Sequence, residues 1–150
     1  MREAIRLAEE GLRQNRGGPF GCVVVRQGEI VGRGCNCVTS RNDPTAHAEI
    51  VAIRAACAAL GRFTLDDCEI FSSCEPCPMC LAAIYWARIP RGWFANTRAD
   101  AAAIGFDDAM LYEQLPLPPA ARSVSLQPLL RAEAQPAFRK WAAKSDKVIY

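Results

Sequence analysis

Apolar positions Ile5, Ala8 and Leu12 recur at helical spacing, and Arg13, Asn15 and Arg16 follow before Gly17-Gly18-Pro19. That pattern predicts a helix over residues 2–15. The period then shortens. Valine-rich Gly21–Gln27 and Ile30–Asn36 read as two strands, with Gly28-Glu29 as a tight hairpin turn between them. A polar loop over 39–44 leads into a helix over 46–60, capped by Asp43 or Thr45 and ended by Gly61. Residues 68–72 read as a third strand and Glu75-Pro76 as the turn out of it. Pro78 suits the first turn of a helix that continues to residue 87. A fourth strand over 91–95, a short helix over 97–104 and a Gly105-Phe106-Asp107-Asp108 loop follow. Pro116–Pro119 is a break, 123–126 a short strand, and 133–143 a last helix that contains Pro136. Strands alternating with helices predict an α/β layered domain, a sheet sandwiched by helices.

The chain has 150 residues, which suits one domain with a substantial core. The first residues mix both charge signs, unlike a secretory leader, and no apolar run is long enough to cross a bilayer. The expected location is the cytoplasm. Eight cysteines in that setting argue against a disulfide scaffold. Cys22, Cys57 and Cys68 sit in apolar stretches as small hydrophobes, and Cys35, Cys37 and Cys74 are packing residues or neighbours of a site. The net charge is only +2 and the arginines are scattered, so no basic stripe points to nucleic acid. The expected substrate is small.

The chemistry is concentrated in His47-Ala48-Glu49 and Pro76-Cys77-Pro78-Met79-Cys80. Two thiolates three residues apart and one imidazole can hold zinc and leave its fourth position open for water. His47 is the only histidine in the chain. Glu49 is then the base for that water's proton and the acid for a departing group. Within one helical turn His47 and Glu49 would diverge by roughly 200°, yet both can meet an ion at the open helix end. Two plainer readings stand beside this one. Cys74 could complete a closed four-ligand zinc knuckle, and Glu49 alone could be a solvated acid at a helix N-terminus.

On these residues the chain resembles the cytidine deaminase superfamily, and within it the small bacterial guanine deaminases. The likeness runs through Gly17–Gly21, Asn42–Glu49, Ser73–Cys80 into Ala83–Arg88, then Gly105–Asp108, Phe138, Trp141 and the terminal Tyr150. It implies a three-layer α/β/α fold around a central mixed sheet, with residues 1–150 as a single deaminase domain. It also implies a homodimer in which about 132–150 is exchanged between subunits. It carries one zinc per subunit onto His47, Cys77 and Cys80, and proton shuttling onto Glu49. Substrate contact falls on Asn36, Asp108 and Tyr150, with Phe20, Ala48 and Trp86 around the ring pocket. The implied reaction is hydrolysis of guanine to xanthine and ammonia, zinc hydroxide adding at C2 and Glu49 protonating ring N3 and the amine. The same motifs also fit deaminases of cytosine, ammeline, guanosine or tRNA adenosine, and a zinc module without activity.

Overall fold

A computed structural model describes residues 1–149, so Tyr150, the expected cap of the pocket, lies outside the described residues. The chain divides into two compact units, Met1–Asp108 and a second that begins at Ala109.

In the first unit α1 (Arg2–Arg13) precedes a hairpin of β1 (Gly21–Arg26) and β2 (Glu29–Cys35). A single turn α2 (Val38–Arg41), α3 (Ala48–Leu60), β3 (Cys68–Cys74), α4 (Pro78–Trp86), β4 (Arg91–Asn96) and α5 (Arg98–Ala103) follow. The sheet order is β2-β1-β3-β4. β1 pairs antiparallel with both β2 and β3, while β3 and β4 are parallel across the α4 connection. This is the mixed sheet expected.

Side-chain alternation assigns the layers. Cys22 and Val24 lie opposite Gly34 and Gly32, and added Cβ atoms on those two glycines would strike α3. Gly21, one residue out of phase, would strike α1 instead. Helix α1 therefore covers one face, and α3 covers the other. Ile84 on α4 and Ala87 and Ile89 just beyond it share the α3-side core with Cys22, Val24, Leu65 and Ile70.

The α3 layer sits unusually close to the sheet. A Cβ at Gly34 would lie 2.2 Å from the Ala48 carbonyl oxygen, and one at Gly32 2.3 Å from that of Ala52. Ala48, Ala52 and Ala56, four residues apart on one helical face, are fully buried there. The first turn of α3, with its chemistry, is thus seated directly on the glycine backbone of β2.

Several details differ from the sequence reading. The hairpin turn is Gln27-Gly28, both with positive φ, because Glu29 already pairs with Arg26 in the ladder. Helix α3 starts at Ala48, with His47 as an extended N-cap residue. Asp43 does not cap it, since its carboxylate accepts from the Thr45 N–H and hydroxyl at 2.8 and 2.7 Å. The buried stripe of α1 is Ala4, Ala8 and Gly11, leaving Ile5 and Leu12 exposed. The approach to Gly21 admits only small side chains there. Thr97 caps α5 by exchanging hydrogen bonds with Asp100.

The second unit holds α6 (Ala109–Gln114), a 3-10 turn at Pro119–Ala121 and α7 (Arg131–Ala143). The expected strand at 123–126 does not form. The Ser123 N–H is taken by the Gln114 side chain at 2.6 Å, and Arg122 donates to the Leu117 and Leu115 carbonyls. Among the described residues no helix is long and apolar enough to cross a membrane.

The close seating of α3 is testable. Gly34→Ala should destabilise the chain by about 1–3 kcal/mol through overpacking against a backbone oxygen. Gly28→Asn, in a turn with open space around it and a residue that tolerates positive φ, should change stability by less than about 0.5 kcal/mol. Urea unfolding of both variants measures the difference.

Candidate active site

Two helix N-termini meet above the α3 face of the sheet. His47 caps α3 and Cys77 caps α4, both with extended backbone, and Pro78 and Cys80 lie in the first turn of α4. Helix N-termini carry partial positive charge and favour thiolates. The turn that presents Cys77 is tied down at its base. The Glu75 N–H donates to the Asn96 carbonyl at 2.8 Å, and the Glu75 carboxylate accepts from the Arg98 N–H at 3.0 Å.

The His47 Nδ1 lies 3.6 Å from the Cys77 Sγ and 3.5 Å from the Cys80 Sγ. Tetrahedral zinc bonds sulfur at about 2.3 Å and imidazole nitrogen at about 2.0–2.1 Å, which sets the N to S spacing at about 3.5 Å. The three donors therefore fit zinc in both chemistry and spacing, and all their ligand atoms lie within 4.8 Å of one another. Hydrogen bonding from Cys80 and then His47 holds the Cys77 thiol down to about 4, against the opposing effect of burial. The Cys80 thiol is pushed up, first by its bond to Cys77 and then by burial. His47 is raised by its hydrogen bond to Cys77. Cys74 is not part of the group: its thiol points to the Thr97 carbonyl at 3.6 Å, and burial raises it to about 11. A closed four-ligand knuckle has no fourth thiolate here.

Glu49, in the first turn of α3, is 5% exposed. Because His47 precedes the helix, the divergence expected within one helical turn does not apply. Burial raises the Glu49 carboxyl, while the Ser72 hydroxyl, which donates to Oε1 at 2.6 Å, lowers it.

Asn36 follows β2 and is buried. Its Oδ1 accepts from the Gly18 and Val38 N–H groups, each at 3.2 Å. An atom that accepts from two N–H donors is the oxygen, so the amide orientation is fixed and its NH2 is the end left for a ligand. The Asn36 N–H also donates to the Phe20 carbonyl at 2.9 Å. The Phe20 ring meets Phe106 edge-on, with centroids 4.9 Å apart. Gly17 and Gly18 make this packing possible. A Cβ at Gly17 would lie 2.2 Å from the Asn36 Oδ1, and one at Gly18 would press on both rings.

Ala48 is fully buried in the core beside Cys22 and Val24. Asp108 is half-buried; burial raises its carboxyl, Arg98 lowers it, and the charge on Cys77 raises it further. Trp86, the last residue of α4, is 68% exposed, as is most of Tyr85 beside it. All eight cysteines are free, and Cys35 and Cys37 pack with Ala46, their sulfurs 3.7 Å apart. Sequence reasoning missed Ser72 and Phe106. Strand alternation from Ile70 puts Ser72 on the α3 face, a signal already present in the strand read over 68–72.

The chain is similar to known proteins along its whole length. Residues 1–96 match the family model of the cytidine and deoxycytidylate deaminase zinc-binding region. The chain is 45% identical over 150 residues to a guanine deaminase of Bacillus subtilis, covering all of this chain and 96% of that one. An X-ray structure of guanine deaminase from Bacillus subtilis superposes with a TM-score of 0.95 at 46% identity, covering 99% of this chain and 95% of the other. A tRNA-specific adenosine deaminase of Streptococcus pyogenes is 47% identical, but over 90 residues, 60% of this chain and 56% of its own. The chain belongs to the cytidine and deoxycytidylate deaminase family, through the zinc-binding region that carries His47, Glu49, Cys77 and Cys80.

Proposed function

We propose that this chain catalyses the zinc-dependent hydrolysis of guanine to xanthine and ammonia. The observation that carries the chemistry is a zinc-spaced His47, Cys77 and Cys80 triangle near a buried Glu49. The substrate rests on a likeness to a guanine deaminase that runs the whole chain, whereas the likeness to the tRNA enzyme stops at 90 residues.

One zinc per chain on His47, Cys77 and Cys80 would acidify a water toward neutrality and leave it placed for attack. Glu49 takes that water's proton. It gives that proton to ring N3 as oxygen bonds to C2, then takes the second proton from the new C2 hydroxyl and gives it to the 2-amino group, which leaves as ammonia while C2=O forms. One water is consumed and one ammonia released, so the reaction needs no other reactant. Burial favours the protonated form of Glu49 and so suits a group that must hold a proton between steps.

Substrate recognition follows from the fixed Asn36. Its NH2 donates to an acceptor on the purine; the carboxyl of Asp108 faces a ring N–H. Phe20 and Trp86 offer aromatic surface to a flat base. The exposed aromatics Tyr85, Trp86, Trp93 and Phe94 on the first unit, and Phe138 and Trp141 on the second, suit a homodimer. In it the segment about 132–150 is exchanged between subunits. Eight free thiols support a cytoplasmic location.

The purified chain should convert guanine to xanthine with stoichiometric ammonia. Glu49→Gln should keep about one zinc per chain and lose about 10²–10⁴-fold in kcat; metal analysis beside an ammonia assay reads both, and full turnover in that variant would remove Glu49 from the reaction. Gly17→Ala should disturb the Asn36 amide and lower kcat/KM for guanine by about tenfold, as Asn36→Ala should. Steady-state kinetics of the two variants check this, and a Gly17→Ala enzyme with normal kcat/KM would contradict it.

A further inference from the structure

Glu49 must serve three positions in turn: the attacking water, ring N3 and the departing amine. A glutamate has three side-chain torsions and can swing away from each. Something must hold one end of it. The groups nearest its carboxyl are mostly sulfur: Cys22, Cys74 and Cys80 all lie within reach of its charge. Sulfur is a weak donor and a poor anchor. Ser72 is different. It is 1% exposed, and its hydroxyl donates to the Glu49 Oε1 at 2.6 Å.

The anchor itself is rigid. Ser72 lies in β3 with Cys22 of β1 on one side and Phe94 of β4 on the other. Its neighbour Ser73 points to the opposite face, where its hydroxyl accepts from the Gly21 N–H at 2.9 Å. The two serines are therefore not interchangeable: one bonds the backbone, the other the carboxyl.

We propose that Ser72 is the positioning residue for Glu49, holding Oε1 on the sheet so that Oε2 alone carries protons. This rests on the deaminase reading of Glu49. The hydroxyl keeps its own proton throughout.

The test uses the full-length zinc-loaded chain with guanine, in Ser72→Ala, Ser72→Thr, Ser72→Cys and Glu49→Gln forms. Ser72→Ala should lose about 10–100-fold in kcat, with KM within about threefold and zinc content unchanged. Ser72→Thr, which keeps the hydroxyl, should recover most of the loss, and Ser72→Cys should fall between. Without substrate, the Glu49 carboxyl band, assigned by infrared difference against Glu49→Gln, should shift in Ser72→Ala and return in Ser72→Thr. A Ser72→Ala kcat within twofold of the parent, a loss seen only in KM, or an unmoved carboxyl band would overturn the proposal. If Ser72→Ala does not fold, equal kcat in the Thr and Cys forms would overturn it. Full turnover in Glu49→Gln sinks the deaminase reading instead, whatever the Ser72 variants do.

Discussion

Everything in the site depends on how closely α3 lies against β2. Gly32 and Gly34 present bare backbone, and Ala48, Ala52 and Ala56 are the helix residues that meet it. A Cβ at either glycine would strike a backbone oxygen of α3. The N-terminus of α3 is thereby fixed in height above the sheet, and His47 and Glu49 with it. Helix α4 is fixed from the other direction, since Cys77 follows directly from β3 through a turn that Glu75 ties to Asn96 and Arg98. Two helix ends seated independently on one sheet meet with ligand spacings of 3.5 and 3.6 Å. Interiors packed this tightly do not deform gradually, so the triangle inherits the rigidity of the sheet.

The same constraint sets the electrostatics. The site lies where two helix dipoles point positive ends at sulfur, which favours Cys77 as a thiolate. A step deeper, Glu49 lies among thiols with its Oε1 held by the Ser72 hydroxyl, and burial drives it toward its protonated form. One carboxyl that wants a proton lies beside one thiol that readily gives up its own. That division comes from hydrogen bonding at Cys77, which outweighs its burial, and from burial at Glu49.

Much of this was legible from residue order. The alternation of strands and helices, the Pro-Cys-x-x-Cys turn and the single histidine were enough for the layered fold and for the ligand set. The misses were decided by close backbone approach in α1 and by local backbone conformation and hydrogen bonding elsewhere, none of which hydrophobic periodicity encodes. The α1 stripe runs through Ala4, Ala8 and Gly11 rather than Ile5 and Leu12 because Gly21 draws the helix in. His47 lies outside α3, not in its first turn, because its extended backbone turns the imidazole toward the sulfurs. The strand expected at 123–126 fails because Gln114 takes the Ser123 N–H that a ladder would need. Nor does residue order show that two backbone N–H groups occupy the Asn36 side-chain oxygen and leave the amide a donor.

That last point bears on which base the site takes. In the proposed reading, the fixed donor at Asn36 and the carboxyl at Asp108 serve a ring that both accepts and donates, and guanine has both edges. The most direct test is ammonia release by the zinc-loaded chain from guanine, guanosine, cytosine, adenine, ammeline and tRNA at matched concentration. The account predicts the highest kcat/KM for guanine, with xanthine as product. No ammonia from guanine, with strong release from any other member of that set, would contradict it.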